Sequence, residues 1–107
     1  MEERGFEVLE NRHVDAHCRL PQGHSLLFEV KSLSNDNEIH QMRAGVAQLY
    51  EYRYREDLDD VSLWLLFSRK PTKEPWIEHY LEVDRDIRVL WVANGELRGP
   101  SAGSLPR

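Results

Sequence analysis

One cysteine, Cys18, is all that the 107 residues contain, so an intrachain disulfide and a cysteine-rich zinc centre are both excluded. Long apolar runs are missing too. No window approaches the roughly 18 uninterrupted apolar residues of a membrane-crossing helix. With 31% of residues charged, no membrane partner is expected. The opening Met1-Glu2-Glu3-Arg4 does not read as a signal peptide, which leaves the cytoplasm as the expected compartment. No internal repeat is present. Positive charge is in short supply: 14 Lys and Arg stand against 19 Asp and Glu, a net charge of -5. A phosphate-binding surface normally leaves a basic footprint. Arg43, Arg53, Arg55, Arg69, Lys70 and Lys73 nevertheless concentrate in the middle of the chain, and bound divalent cations would offset local carboxylates.

The apolar content of 40% suits one small domain with a single core. Phe6 to Glu10 alternates apolar and charged residues as a strand does, and Asn11-Arg12 reads as a turn. Val14 to Leu20 alternates again, with Val14, Ala16, Cys18 and Leu20 on one face and Asp15, His17 and Arg19 on the other. Pro21-Gln22-Gly23-His24 turns into a third strand, Ser25 to Ser32, completing an antiparallel meander. From Asn35, a candidate N-cap with Glu38 three residues on, the period becomes helical to about Tyr54. Ile39, Met42, Val46 and Leu49 form the expected core stripe. Val61 to Ser68 is almost continuously apolar, as in a strand buried on both faces. A second helix is expected from Pro75, with Trp76, Ile77, Tyr80 and Leu81 as its apolar face. Ile87 to Val92 is a further strand, and Asn94-Gly95 a hairpin turn before Glu96-Leu97-Arg98. The fold class is therefore α/β in the α+β sense: a central mixed sheet of meander, helix and crossover strand, flanked by helices. Residues 1–98 form one domain, and the Gly/Ser/Pro-rich residues 99–107 are expected to be flexible.

Glu29-Val30-Lys31 carries the chemistry. Side chains alternate along a strand, so Glu29 and Lys31 share a face about 7 Å apart while Phe28 and Val30 can be buried on the other. Asp15 falls on the adjacent strand. On the helix, Gln41, Gly45, Gln48 and Tyr52 fall on one stripe, away from the core stripe. Gly45 costs roughly 1 kcal/mol relative to alanine there, which predicts close approach of the strand bearing Glu29 or of a substrate backbone. His13 and His17 lie on a strand and do not form a metal pair, though His17 shares the face of Asp15. His24, His40 and His79 read as surface residues, Trp64, Trp76 and Trp91 as packing, and Cys18 as an inert core thiol.

An acid on the second strand, acid-x-Lys on the third and a following amphipathic helix resemble the PD-(D/E)XK nuclease superfamily, the restriction-endonuclease-like fold, over roughly residues 6 to 68. Gln48-Leu49-Tyr50-Glu51-Tyr52 is similar to the Q-x-x-x-Y motif of its RecB-like branch. The resemblance implies a nuclease that hydrolyses DNA, or RNA, using Mg²⁺ or Mn²⁺ held by Asp15, Glu29 and the backbone carbonyl of Val30. Lys31 would orient or help deprotonate the attacking water, and Gln48 and Tyr52 would contact the substrate strand or order the metal site. Mg²⁺ needs only one or two carboxylates besides waters and phosphate oxygens, which suits so sparse a site. Family members usually begin with a helix carrying a further Glu. Here that helix is short or missing, with Glu2, Glu3, Glu7 and Glu10 as candidates, so the expectation is a larger parent protein, a homodimer partner that covers that face, or reduced activity. The alternative is a catalytically degenerate fold that binds nucleic acid or serves as an accessory interaction domain.

Overall fold

The computed structural model describes residues 14–104 and the backbone of residues 7–9. Its strands and α-helices are β1 (Glu7–Leu9), β2 (Ala16–Arg19), β3 (Ser25–Lys31), α1 (Glu38–Arg55), β4 (Val61–Phe67), α2 (Trp76–His79), β5 (Ile87–Ala93) and β6 (Glu96–Arg98). The six strands form one sheet in sequence order. β1, β2 and β3 pair antiparallel, β3, β4 and β5 parallel, and β5 with β6 antiparallel. The expected mixed sheet of meander and helical crossover is present; Phe6, Glu10 and the turn Asn11-Arg12 lie outside the described residues.

Parallel neighbours in sequence order need crossovers of one hand, which place both connecting helices on the same face. Accordingly Leu27, Leu63, Leu65, Phe67, Ile87 and Val89 share one core with Met42, Leu49 and Tyr52 of α1 and Ile77 of α2. The other face carries a smaller cluster of Cys18, Leu26, Trp64 and Leu90. β4 therefore needs apolar residues at successive positions, which is why it reads as an unbroken run. Burial pushes the Cys18 thiol up, in keeping with an inert packing role.

Four expectations shift in the structure. Val14 joins the helix-side core while Cys18 lies on the opposite face, because the chain bends at Val14-Asp15 before β2 begins and the alternation is broken there. α1 starts at Glu38 after Asn37 rather than after Asn35, since the Asn37 side chain is engaged with the Ser34 N–H (2.7 Å) and Ser32 C=O (3.3 Å). Its buried stripe is Glu38, Met42, Gly45, Leu49 and Tyr52, so Gly45 and Tyr52 belong to the core face instead of a separate one. A Cβ at Gly45 would stand 2.6 Å from Leu65 Cδ1, so the missing side chain lets α1 settle on β4 beside the register partner of Glu29. The second helix has one α-turn and then widens into a π-turn, Tyr80–Asp84, closed by Arg85 N–H to Tyr80 C=O at 3.0 Å. It buries Ile77 and Leu81 and leaves Trp76 45% exposed.

The segment after β6 is also packed where it is described. Ser101 is buried and its hydroxyl donates to the Glu82 carboxylate (2.9 Å), which also accepts the Val89 N–H (2.7 Å). Gly99, at φ 129, lies where a Cβ would stand 2.6 Å from the Val89 carbonyl. Residues 99–104 are thus tied to β5, an attachment that their Gly/Ser/Pro composition conceals, and 105–107 lie outside the described residues.

Candidate functional site

β2 stops pairing with β3 at Ala16↔Phe28, so the backbone edge of β3 is released from the ladder at Val30. Asp15, in the bend just before β2, fills that gap. Its Oδ2 accepts the Val30 N–H at 2.7 Å, and Glu29 Oε1 accepts the Asp15 N–H at 3.0 Å. Each carboxylate is held by backbone beside the other. Lys31 Nζ stands 3.4 Å from Glu29 Oε2, with side-chain exposures of 16% and 3%. Asp15 is exposed, so the pair has one buried and one solvent-facing member.

In a strand, the N–H and C=O of one residue point to the same edge. The Val30 carbonyl therefore opens toward Asp15, while the Lys31 carbonyl faces β4 and accepts the Ser68 N–H at 3.1 Å. Asp15, Glu29 and the Val30 carbonyl thus gather at the C-terminal end of the parallel strands, the position where open α/β sheets bind ligands. The Val30 side chain points to the opposite face and is 48% exposed, not buried as expected, because both helices cover the other side.

Burial pushes the Glu29 carboxyl above its ordinary value, and repulsion from Asp15 adds to it; the Asp15 N–H and Lys31 act in the opposite sense. A cation between the two carboxylates would relieve that repulsion. Among the described residues, no group of three or more His, Cys, Asp or Glu gathers in metal-binding geometry. Two carboxylates and one carbonyl still match what a hard, largely hydrated cation takes from a protein. Glu2, Glu3 and Glu10 lie outside the described residues, as does the side chain of Glu7.

The helix residues spread along β3 rather than meeting at one point. Gln41 Nε2 donates to Ser32 C=O at 3.0 Å beyond the end of the strand. At the other end, Tyr52 is buried and its hydroxyl meets His17 Nδ1 at 2.8 Å, while His17 Nε2 meets Ser25 Oγ at 3.1 Å. Gln48 lies one turn before Tyr52 on the same stripe. Its Oε1 is buried without a hydrogen-bond partner. Burial raises the Tyr52 hydroxyl pKa and Glu56 raises it further, against the pull of Arg19.

Glu38 has a role that the local pattern hides. Expected to complete a capping box, it is buried and takes Arg69 Nη1 (2.6 Å) with the N–H groups of Thr72 (3.2 Å), Lys73 (3.1 Å) and Glu74 (2.9 Å). Arg69 Nη2 also donates to Ser34 C=O. Burial alone would raise the Glu38 carboxyl, but Arg69 and the three amides outweigh it and hold it below its ordinary value. The start of α1 is thereby fastened to the loop after β4.

Comparisons with family models, with curated proteins and with solved structures each return no match. Among the described residues, no helix is long and apolar enough to cross a membrane.

Proposed function

We propose that the protein is a Mg²⁺- or Mn²⁺-dependent nuclease that hydrolyses phosphodiester bonds of DNA on a restriction-endonuclease-like core of the PD-(D/E)XK type. The observation that carries this reading is the interlocked pair Asp15 and Glu29, with Lys31 Nζ 3.4 Å from Glu29 at the open end of β3. Glu29 is only 2% exposed and is repelled by Asp15, a repulsion that Lys31 offsets in part and a bound divalent cation would relieve further. Asp15, Glu29 and the Val30 carbonyl are the groups that would hold the ion. When bound, it acidifies a water and neutralises charge on the phosphodiester. Lys31 orients the attacking water and adds positive charge beside the phosphate.

The second reading, a degenerate fold that binds nucleic acid without cutting it, draws on the two carboxylates that converge among the described residues and on the net charge of -5. Purified protein incubated with linear, supercoiled and single-stranded DNA and with RNA, with Mg²⁺, Mn²⁺ or chelator, separates the two. Metal-dependent products that vanish in Glu29→Ala and Lys31→Ala variants of preserved fold support the nuclease. Equal inertness of wild type and Lys31→Ala, with both binding DNA, selects the second reading.

A further inference from the structure

At the other end of the sheet the turn into β3 and the start of β4 bring three side chains together. His24 Nδ1 meets Asp60 Oδ1 at 2.6 Å and His24 Nε2 meets Ser62 Oγ at 2.8 Å. A carboxylate only accepts, so in the neutral imidazole that donates from Nδ1 to Asp60, Nε2 accepts from the Ser62 hydroxyl. A nucleophile bonded to a base, and the base bonded to an orienting acid through its other nitrogen, is the arrangement that activates a serine.

The cluster is braced by backbone on both sides. Ser25 N–H donates to Asp60 C=O at 2.8 Å, Leu20 N–H to His24 C=O at 2.8 Å, and Gly23 N–H to Leu20 C=O at 2.9 Å. Ser62 pairs with Leu26 across the ladder, so it sits on the face that neither helix covers. The side chain of His24 is 25% exposed and that of Asp60 71%, so a reagent in solvent reaches the base. Ser62 lies three register positions from the partner of Glu29 and His24 five residues before Glu29, so roughly 10–17 Å of strand separates this cluster from the Asp15/Glu29 pair.

We propose that Ser62, His24 and Asp60 form an acyl-accepting nucleophilic centre for small activated esters, independent of the metal-dependent site. Ser62 Oγ bonds to the ester carbonyl carbon as its proton passes to His24 Nε2. Collapse of the tetrahedral adduct breaks the bond to the leaving oxygen, which takes that proton, and acyl-Ser62 remains. Water, deprotonated by His24, then attacks the acyl carbon and releases the carboxylic acid and free Ser62.

The test uses p-nitrophenyl acetate in the presence of chelator, following p-nitrophenolate release and mapping the acetylated residue by mass spectrometry. Acetyl on Ser62, lost in Ser62→Ala and His24→Asn and slowed at least about tenfold in Asp60→Asn, is the expected result. Circular dichroism of each variant checks that the fold is kept, and Ser62→Thr, which retains a hydroxyl, should keep part of the reactivity. Acetylation confined to lysines, or equal in wild type and Ser62→Ala, overturns the proposal and leaves the three residues as a clasp between β3 and β4. Chelation abolishes the proposed nuclease but not this reaction, so the two readings fail separately.

Discussion

Two buried carboxylates in this protein have opposite electrostatic fates. Glu29 is raised by burial and by Asp15, so its folded form holds a proton more tightly than its unfolded form. Stability from that group is present below the ordinary value of 4.5 and is lost as pH rises through the folded value. With chelator present, Glu29→Gln should therefore unfold at higher urea than wild type near pH 8, with the difference closing toward pH 4. Denaturation curves at the two pH values check this. Glu38 is lowered, so its contribution is present above 4.5 and is lost as pH falls through its folded value. Glu38→Ala strands Arg69 and three amides, and should cost roughly 3 kcal/mol at pH 7, the scale of breaking a buried ion pair by removing one partner. The triplet Glu29-Val30-Lys31 was legible because alternation on one strand fixes which side chains meet. Glu38 with Arg69 was not, since its partners lie 31 to 36 residues away and only the fold joins them.

At the scale of elements, β3 and α1 decide what the site can be. The helix and its Ile39, Met42, Val46 and Leu49 stripe were readable from the period, yet Gly45 and Tyr52 were set apart from that inward face because Gly45 counts as absence in a hydrophobic pattern although it sits against Leu65. Gly45→Ala gains up to about 1 kcal/mol of helix propensity and meets an overpacking cost of roughly 1–3 kcal/mol. A net loss of up to about 2 kcal/mol in urea denaturation is expected, and a more stable, fully functional variant would contradict the close approach. Tyr52 tests the division of labour along the same helix. Its hydroxyl is taken by His17, so Tyr52→Phe should lose on the order of 1 kcal/mol of stability and leave KM for a nucleic-acid substrate nearly unchanged. A large rise in KM with full stability would mark Tyr52 as a substrate contact instead. The register break at Asp15 had no sequence signal, since an alternating run gives no sign of where pairing stops. That break is what frees Asp15 to reach the Val30 N–H.

In the whole molecule, helices on one face leave the other lightly covered, and both candidate sites lie at ends of the same parallel strands. The C-terminal end gathers Asp15, Glu29, Val30 and Lys31; the N-terminal end gathers His24, Asp60 and Ser62. The order of elements along the chain and the mixed sheet were legible from pattern and spacing, whereas the places of β4, β5 and β6 in the sheet and the packing of residues 99–104 came from the fold, the latter from the fit of Gly99 and Ser101 to β5 and Glu82. The central claim is that the carboxylate pair holds a divalent ion and that Lys31 acts on the phosphodiester beside it. The most direct test pairs Mn²⁺ binding by calorimetry with cleavage of linear DNA in wild type and Lys31→Ala. Metal bound by both proteins, with products from wild type alone, is the predicted result. No metal-dependent products from wild type, or undiminished cleavage by Lys31→Ala, would contradict it.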